Sequence, residues 1–423
     1  YTPNAAGAKN LITFLNLSLF IFKLAKNKTK NIPERRMNMP LVPMKAILDT
    51  VYSHRYAAAA FNVNTASQAE ALIGVHEVFR APAIVQGAEL ANGFMGGCVD
   101  FAHSTPGQKR TGAANIAKAV KARADDGAVP VALHLDHGKS LESVKAAVEG
   151  GYTSVMIDGS SLPLEDNIAL TREVVKYAHP RGVTVEGELG VLAGVEDHVF
   201  GAQSTYTHPL DAIRFFKATG VDCLAVSYGT MHGACKGKNV KLRREIVIAI
   251  RECMLHEGID GVLVSHGSST VPQYIVDEIN WLGGRLTDVG GIPIEELKTS
   301  IACGIGKINV DTDIRLAVTR NLRELFEKHP WLKTDASTHG VYALLKQLPE
   351  AVDPRCFLAP VMELVMYGTA STNALRLLDD SIRRGVAEMA GTLIVSFGMV
   401  GKSAVVKPLS LEEMADHYRK QGI

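Results

Sequence analysis

Cysteine is sparse and unpatterned in this chain. Cys98, Cys223, Cys235, Cys253, Cys303 and Cys356 form no C-x-x-C pair and no regular spacing. That excludes a disulfide framework and a cysteine-held structural zinc, and it fits reduced thiols in a reducing compartment, so a cytoplasmic setting is expected. Charge of one sign is missing as well. Lys and Arg number 45 against 44 Asp and Glu, and no basic excess points to nucleic acid. Long apolar runs are absent except for Leu11–Leu24, which is short and broken by Asn16, Ser18 and Lys23, below the usual membrane span. No G-x-G-x-x-G follows an opening strand, which argues against an open dinucleotide-binding sheet. No H-x-H pair stands on an early strand, the arrangement a metal-dependent hydrolase on a barrel usually takes.

The rest is an ordinary enzyme composition, 47% hydrophobic and 21% charged over 423 residues, enough to bury one large core. Residues 1–38 differ in texture. The basic KNKTKNIPERR follows the short apolar segment without a clean small-residue cleavage site. They are expected to form an extension, disordered or loosely docked, ahead of a natural start at Met37 or Met39. From 39 to 423 a single domain is expected.

Within it, eight short apolar runs alternate with amphipathic stretches. The runs are 57–63, 82–87, 130–135, 153–158, 183–189, 222–228, 261–266 and 306–310. Several intervening helical patterns close on glycine. Eightfold alternation predicts an α/β fold, a closed (β/α)8 TIM barrel with extra C-terminal helices, rather than an open sheet.

Such a barrel places its chemistry at the C-terminal ends of its strands. Asn62, Gln86, Asp136, His137, Asp158, Glu188, His232, His266, Asn309 and Asp311 each end or follow one of the eight runs. Three histidines, His137, His232 and His266, follow strands three, six and seven and converge on one metal if the barrel closes. Three imidazoles leave a coordination position open to substrate. Strand alternation sends His134 and His137 to opposite faces, so His137 is the ligand and His134 lies in the barrel wall with a hydrogen-bonded ring. Asp136 then stands beside the metal with a carboxylate able to move a proton, or else orients a histidine.

Phosphate handling is the second theme. In HGSSTVP, Gly267, Ser268 and Ser269 lead into a helix near Pro272, and in NVDTDIR Thr312 does the same. Both offer helix N-terminal N–H groups, at the last two strands, where barrels often bind phosphate. Ordinary helix capping accounts for either segment taken alone.

The ordered motifs AFNVN (60–64), LDHGKSLESV (135–144), SVMIDGSSLPLEDNI (154–168), VEGELGVLAGVED (185–197), GVDCLAVSYGTMHGACK (220–236), SHGSSTVP (265–272), KINVDTDIRLA (307–317), DPRCFL (353–358) and SLEEMADHY (410–418) resemble those of the class II, metal-dependent fructose-bisphosphate aldolases, over most of 38–418. The resemblance implies a zinc-dependent lyase that cleaves fructose 1,6-bisphosphate, in glycolysis and gluconeogenesis, to dihydroxyacetone phosphate and glyceraldehyde 3-phosphate. It implies Asp136 as the acid/base at the C4 oxygen and Glu196 as the residue exchanging the C3 proton. His137, His232 and His266 would hold Zn²⁺, with Asp158 and Glu188 at a second position for a divalent or monovalent cation. Gly233, Gly267, Ser269, Asp311 and Thr312 would cradle one phosphate, with Ser268 beside them. Asn62 and Asn309 would contact substrate, Arg355 would meet the distal phosphate, and Lys236 is a further phosphate contact. A homodimer or homotetramer is expected, without nucleic-acid or membrane partners.

Zn²⁺ replaces the Schiff-base lysine of the alternative aldolase chemistry, and Lys307, opening its strand, is expected at the wrong face of the barrel. The chain departs from its relatives at Ala88, where a serine is common, at Cys235, where an aromatic is common, and in longer segments near 331–352 and 361–395. Tagatose 1,6-bisphosphate as substrate and a catalytically silent metal-binding barrel remain alternatives.

Overall fold

The computed structural model describes residues 41–192, 194–196, 199–201, 205–234 and 240–422, so the expected extension over 1–38 lies outside them. Among the described residues there are ten strands: β1 Ala58–Asn62, β2 Ala83–Ala88, β3 Val131–Gly138, β4 Ser154–Ile157, β5 Thr184–Leu189, β6 Gly194–Glu196, β7 Val199–Gly201, β8 Cys223–Val226, β9 Val262–Ser265 and β10 Ile305–Val310. Eight of them close a parallel barrel in the order β1-β10-β9-β8-β5-β4-β3-β2, the predicted TIM barrel. All eight predicted runs are its strands. The hairpin of β6 and β7 has no counterpart in the sequence pattern, because three-residue strands carry no readable alternation.

Each barrel strand is covered on both faces, by side chains in the lumen and by helices outside, and the residues of β1, β2, β4, β8, β9 and β10 are buried throughout. The helices start and stop where local chemistry says they should. Thr65, Ser140 and Thr372 accept from the backbone N–H three residues on, while Thr105 and Ser410 complete capping boxes with Gln108 and Glu413. Among the described residues no helix is long and apolar enough to cross a membrane.

Parity along the strands sets the lumen. Residues two apart share a face, so β3, β5 and β10 each send an inward pair, His134 with Asp136, Glu186 with Glu188, and Lys307 with Asn309. Asp136, Glu188 and Asn309 lie nearer the C-terminal mouth, and His134, Glu186 and Lys307 one layer below. His137 breaks the alternation that its assignment relied on. It sits at φ 46°, and the β3–β4 register shifts between Leu135 and Gly138. Asp136 and its neighbour His137 therefore both reach the mouth.

The longer C-terminal segments are helical. Residues 331–352 include the helix His339–Gln347, and residues 361–395 include Met362–Tyr367 and most of Asn373–Ser396. The 24-residue helix packs on the helices Thr312–Lys328 and Ala66–Phe79 through Leu378, Ile382, Val386 and Met389, all buried. Gly385 lets it approach: a Cβ there would lie 2.8 Å from the Ala317 carbonyl carbon. At the opposite end of the barrel, the helix Leu411–Gln421 docks through Tyr418. Its hydroxyl donates to Asp222 at 3.0 Å, and its ring stacks 3.7 Å from His179.

Candidate active site

Asp136 is the centre of a chain of amides at the barrel mouth. The Asn62 Nδ2 donates to its Oδ2 at 2.8 Å and the Asn309 Nδ2 to its Oδ1 at 2.9 Å. Each amide is itself oriented from behind. Gln86 donates to the Asn62 Oδ1 at 2.5 Å, and the Lys307 ammonium donates to the Asn309 Oδ1 at 2.6 Å. The carboxylate is 4% exposed, so its orientation is fixed by protein donors rather than bulk water.

Beside it stand the imidazoles. The His137 Nδ1 lies 3.1 Å from the Asp158 Oδ2, which turns its Nε2 toward the His266 Nδ1, 3.2 Å away. The His266 Nε2 is 2.7 Å from the Glu186 Oε1. His232, which follows β8, adds its ring at 5.3 Å from that of His137. Ligand atoms converge within 4.8 Å in two sets, Asp136–His137–His266 and His137–Asp158–Glu188. His232 stands against His137 without belonging to either tight set.

The electrostatics of this cluster call for a cation. Burial opposes charge on His137, but Asp136 and Asp158 outweigh it and lift the ring to about 9. Burial likewise opposes charge on His266, and Glu186 and Glu188 lift it to about 10. Burial would raise the Asp158 carboxyl, yet His137 and Lys139 hold it well below the usual carboxylate range. Two imidazolium rings facing each other at 3.2 Å would repel, so one metal ion between the nitrogens satisfies the same field. Glu188 supports that fit, since its buried carboxylate makes no well-formed hydrogen bond and faces the His266 Nδ1 at 3.3 Å and the His137 Nδ1 at 3.8 Å. Lys139 places its Nζ 2.6 Å from the Asp158 Oδ2, so one cation already borders the second set.

The expected phosphate loops flank this cluster. Gly267, Ser268, Ser269 and Asp311 line the same pocket as Asn62, Asp136, His137, His266 and Asn309. Gly267 has φ 60°, and a Cβ there would meet the Met231 carbonyl oxygen at 2.5 Å, so this position needs glycine where the β8 and β9 loops touch. Gly233 also has positive φ, 79°. Thr312 opens the helix Thr312–Lys328, as expected, and the helix after the β9 loop starts at Gln273.

Two sequence-derived placements need correction or relocation. Lys307 does not sit at the far face: it is fully buried in the lumen, and its long stem carries the ammonium upward to Asn309 and to the Glu186 Oε2, 2.9 Å away. Arg355 is not among the pocket residues. It is 2% exposed, its guanidinium is bound by Asp353 and lies 4.3 Å over the Phe101 ring. His134 behaves as predicted, buried with its Nδ1 2.8 Å from the Ser154 Oγ. Lys236 and Cys235 fall outside the described residues, as does the side chain of Glu196, which lies on β6.

Three residues of the site escape sequence reasoning: Glu186, Lys307 and Asp313. The first two stand two residues before Glu188 and Asn309, a parity signal present in the sequence. Asp313 accepts from the Thr270 N–H at 2.8 Å, the Thr270 hydroxyl at 2.9 Å and the Val271 N–H at 2.7 Å. It thereby clamps the residues after Ser269, where β-branched Val271 is held at φ 46°.

Comparison with known proteins agrees with this geometry. The fructose-bisphosphate aldolase class-II family model matches residues 42–387. A fructose-bisphosphate aldolase of Giardia intestinalis is 35% identical over 384 residues, covering 90% of this chain and 100% of the relative. One from Thermus caldophilus is 37% identical over 327 residues, 77% of this chain and 94% of its own length. Among solved structures, the YdjI aldolase of Escherichia coli K12 superposes with TM-score 0.57 at 26% identity, covering 86% of this chain and 99% of that one. The fructose-bisphosphate aldolase of Campylobacter jejuni, at TM-score 0.61 and 20% identity over 87% of this chain and 98% of its own, shares the fold. A barrel with this cluster at its mouth, matched by the family model over residues 42–387 and by a relative over nine tenths of its length, belongs to the class II fructose-bisphosphate aldolase family.

Proposed function

We propose that this enzyme reversibly cleaves fructose 1,6-bisphosphate to dihydroxyacetone phosphate and glyceraldehyde 3-phosphate with a bound divalent metal, zinc by preference. The observation that carries this is Asp136, a buried carboxylate held by two oriented amides beside the His137–His266 pair. His137, His232 and His266 would hold the ion, with Asp158 and Glu188 at a second cation position. When bound, the metal supplies an electrophile that draws charge from the substrate carbonyl.

The chain's own groups do the rest. In cleavage, Asp136 takes the C4 hydroxyl proton as the C3–C4 bond breaks and C4 becomes the aldehyde carbon. The electron pair stays with the ketone fragment, whose C3 then takes a proton, a step assigned to Glu196. Asn62 and Asn309 keep the Asp136 oxygens aimed. Gly233, Gly267, Ser268, Ser269, Asp311 and Thr312 receive the phosphate of that fragment, with Lys236 as a further contact. Arg355 would meet the distal phosphate only through a rearrangement that releases it from Asp353. The enzyme is proposed to work in the cytoplasm as a homodimer or homotetramer.

A coupled assay on fructose and tagatose 1,6-bisphosphates tests this. Fructose 1,6-bisphosphate cleavage should disappear on chelation, return with Zn²⁺ or Co²⁺, and survive borohydride added with substrate. Asp136→Ala should abolish it. Chelator-resistant cleavage, or equal activity in the variant, refutes the mechanism, and inactivity on both sugars favours a silent barrel.

A further inference from the structure

Lys307 and Glu186 form an ion pair in the barrel lumen, one layer below the groups assigned to proton transfer and metal binding. Both side chains are 0% exposed and their charged atoms are 2.9 Å apart. Two charges taken out of water cost several kcal/mol each before their attraction offsets it, and apolar side chains would fill the same space without that cost. Their contacts give a reason for their presence. From one ammonium, two arms rise to the mouth. One runs through the Asn309 Oδ1 at 2.6 Å, which fixes the sense of that amide so that its Nδ2 faces the Asp136 Oδ1 at 2.9 Å. The other runs through Glu186, whose Oε1 lies 2.7 Å from the His266 Nε2. A carboxylate only accepts, so with a metal held at the mouth it keeps the ring proton on Nε2, which the Asn309 Nδ2 also approaches at 3.1 Å, and leaves the Nδ1, 3.2 Å from the His137 Nε2 and 3.3 Å from the Glu188 Oε2, as the ligand atom.

We propose that Lys307 is a positioning residue that sets the acid/base and the metal ligand at once, aiming Asn309 at Asp136 and, through Glu186, presenting the Nδ1 of His266 to the metal. The proposal rests on the functional assignment made above. Lys307 touches neither substrate nor metal in this scheme. Its removal should loosen both functions together.

The test uses the full chain, with Co²⁺ as the probe ion. In Lys307→Met, Co²⁺ affinity measured by competition with a chelator should fall tenfold or more, the range expected when a partner of a metal-bound histidine is lost. The visible d–d spectrum of the loaded protein should change, and kcat should fall at least tenfold while KM stays within threefold. Lys307→Arg should recover part of the affinity. Glu186→Gln keeps the shape and one acceptor, which guards against a variant that simply fails to fold. It should weaken Co²⁺ binding while the Asn309–Asp136 arm stays intact, so kcat at saturating Co²⁺ should fall less than in Lys307→Met. Unchanged affinity and spectrum in Lys307→Met, or in Glu186→Gln if the lysine variant does not fold, overturns the proposal. Metal-dependent cleavage by the unaltered enzyme in the same preparation separates that failure from failure of the functional assignment.

Discussion

Asp313 joins the two halves of the proposed phosphate site, and its removal has a predictable signature. It stands second in the helix Thr312–Lys328, while its carboxylate binds the backbone N–H groups of Thr270 and Val271 and the Thr270 hydroxyl at 2.7–2.9 Å. Hydrogen bonds to a charged acceptor contribute roughly 1.5–3 kcal/mol each, and leaving a buried donor unpaired costs about 1–3 kcal/mol. Val271, 1% exposed and held at φ 46°, stores strain of order 1–3 kcal/mol that this clamp resists. In Asp313→Ala the loop relaxes that strain and takes its orphaned N–H groups to water, so the bound geometry of Ser268 and Ser269 must be rebuilt by substrate. A net loss of about 2–3 kcal/mol of preorganisation corresponds to roughly 30- to 150-fold weaker binding. Steady-state cleavage of fructose 1,6-bisphosphate should show KM raised by that order with kcat lowered less than about fivefold, the pattern of lost uniform binding. Asp313→Asn keeps one carbonyl acceptor and should fall between. A folded Asp313→Ala enzyme with KM within threefold of the parent would refute the clamp.

Two further predictions concern the scaffold. His76 is completely buried against Phe61, and burial pushes its ring down to about 4, against roughly 6.5 when unfolded. The unfolded chain therefore binds the extra proton, so this stability is complete above about pH 6.5 and is lost as pH falls toward 4, by about 3 kcal/mol. Denaturant melts of the parent and His76→Leu should diverge across that window, with the variant less acid-sensitive; parallel curves would refute the assignment. Tyr418→Phe keeps the stacking on His179 but removes the hydroxyl that donates to Asp222. Stability should drop by about 1–3 kcal/mol with kcat unchanged, since the contact lies at the far end of the barrel from the site; a tenfold fall in kcat would contradict that separation.

What the sequence disclosed of this site depended on where each polar group stood relative to an apolar run. Asn62, Asp136, Glu188, His266 and Asn309 interrupt or end such runs, so a period-two strand pattern is enough to expose them. The strand argument for His137 puts it at the mouth by a route that does not hold in space. Strict alternation would send it away from Asp136, and only its left-handed backbone conformation and the register shift beside Gly138 bring both to the mouth. Arg355 is legible as a cation and misleading as an open one, because Asp353, two residues earlier, captures its guanidinium in a buried turn. Asp313 reads locally as an acidic residue in a first helical turn, a common dipole effect. Its clamp on Thr270 and Val271 spans about forty residues of chain and exists only in the folded barrel.

Glu186 and Lys307 are hidden differently. Charged residues inside an apolar strand look like interruptions that weaken the strand, so their place in the run counts against function when periodicity is the guide. In a closed barrel the logic inverts, because the lumen is layered and a residue two positions before a mouth residue lies directly beneath it. Glu186 under Glu188 and Lys307 under Asn309 then pair with each other at a depth where neither reaches water. A buried charge survives there only if it is paired and its remaining hydrogen-bonding capacity is used. The atoms that use it are the Asn309 Oδ1 and the His266 Nε2, the rear sides of two groups whose front sides face Asp136 and His137. The lumen charges are therefore anchored to the orientation of the mouth, and the mouth cannot be reoriented without leaving hydrogen-bonding capacity of one of them unused.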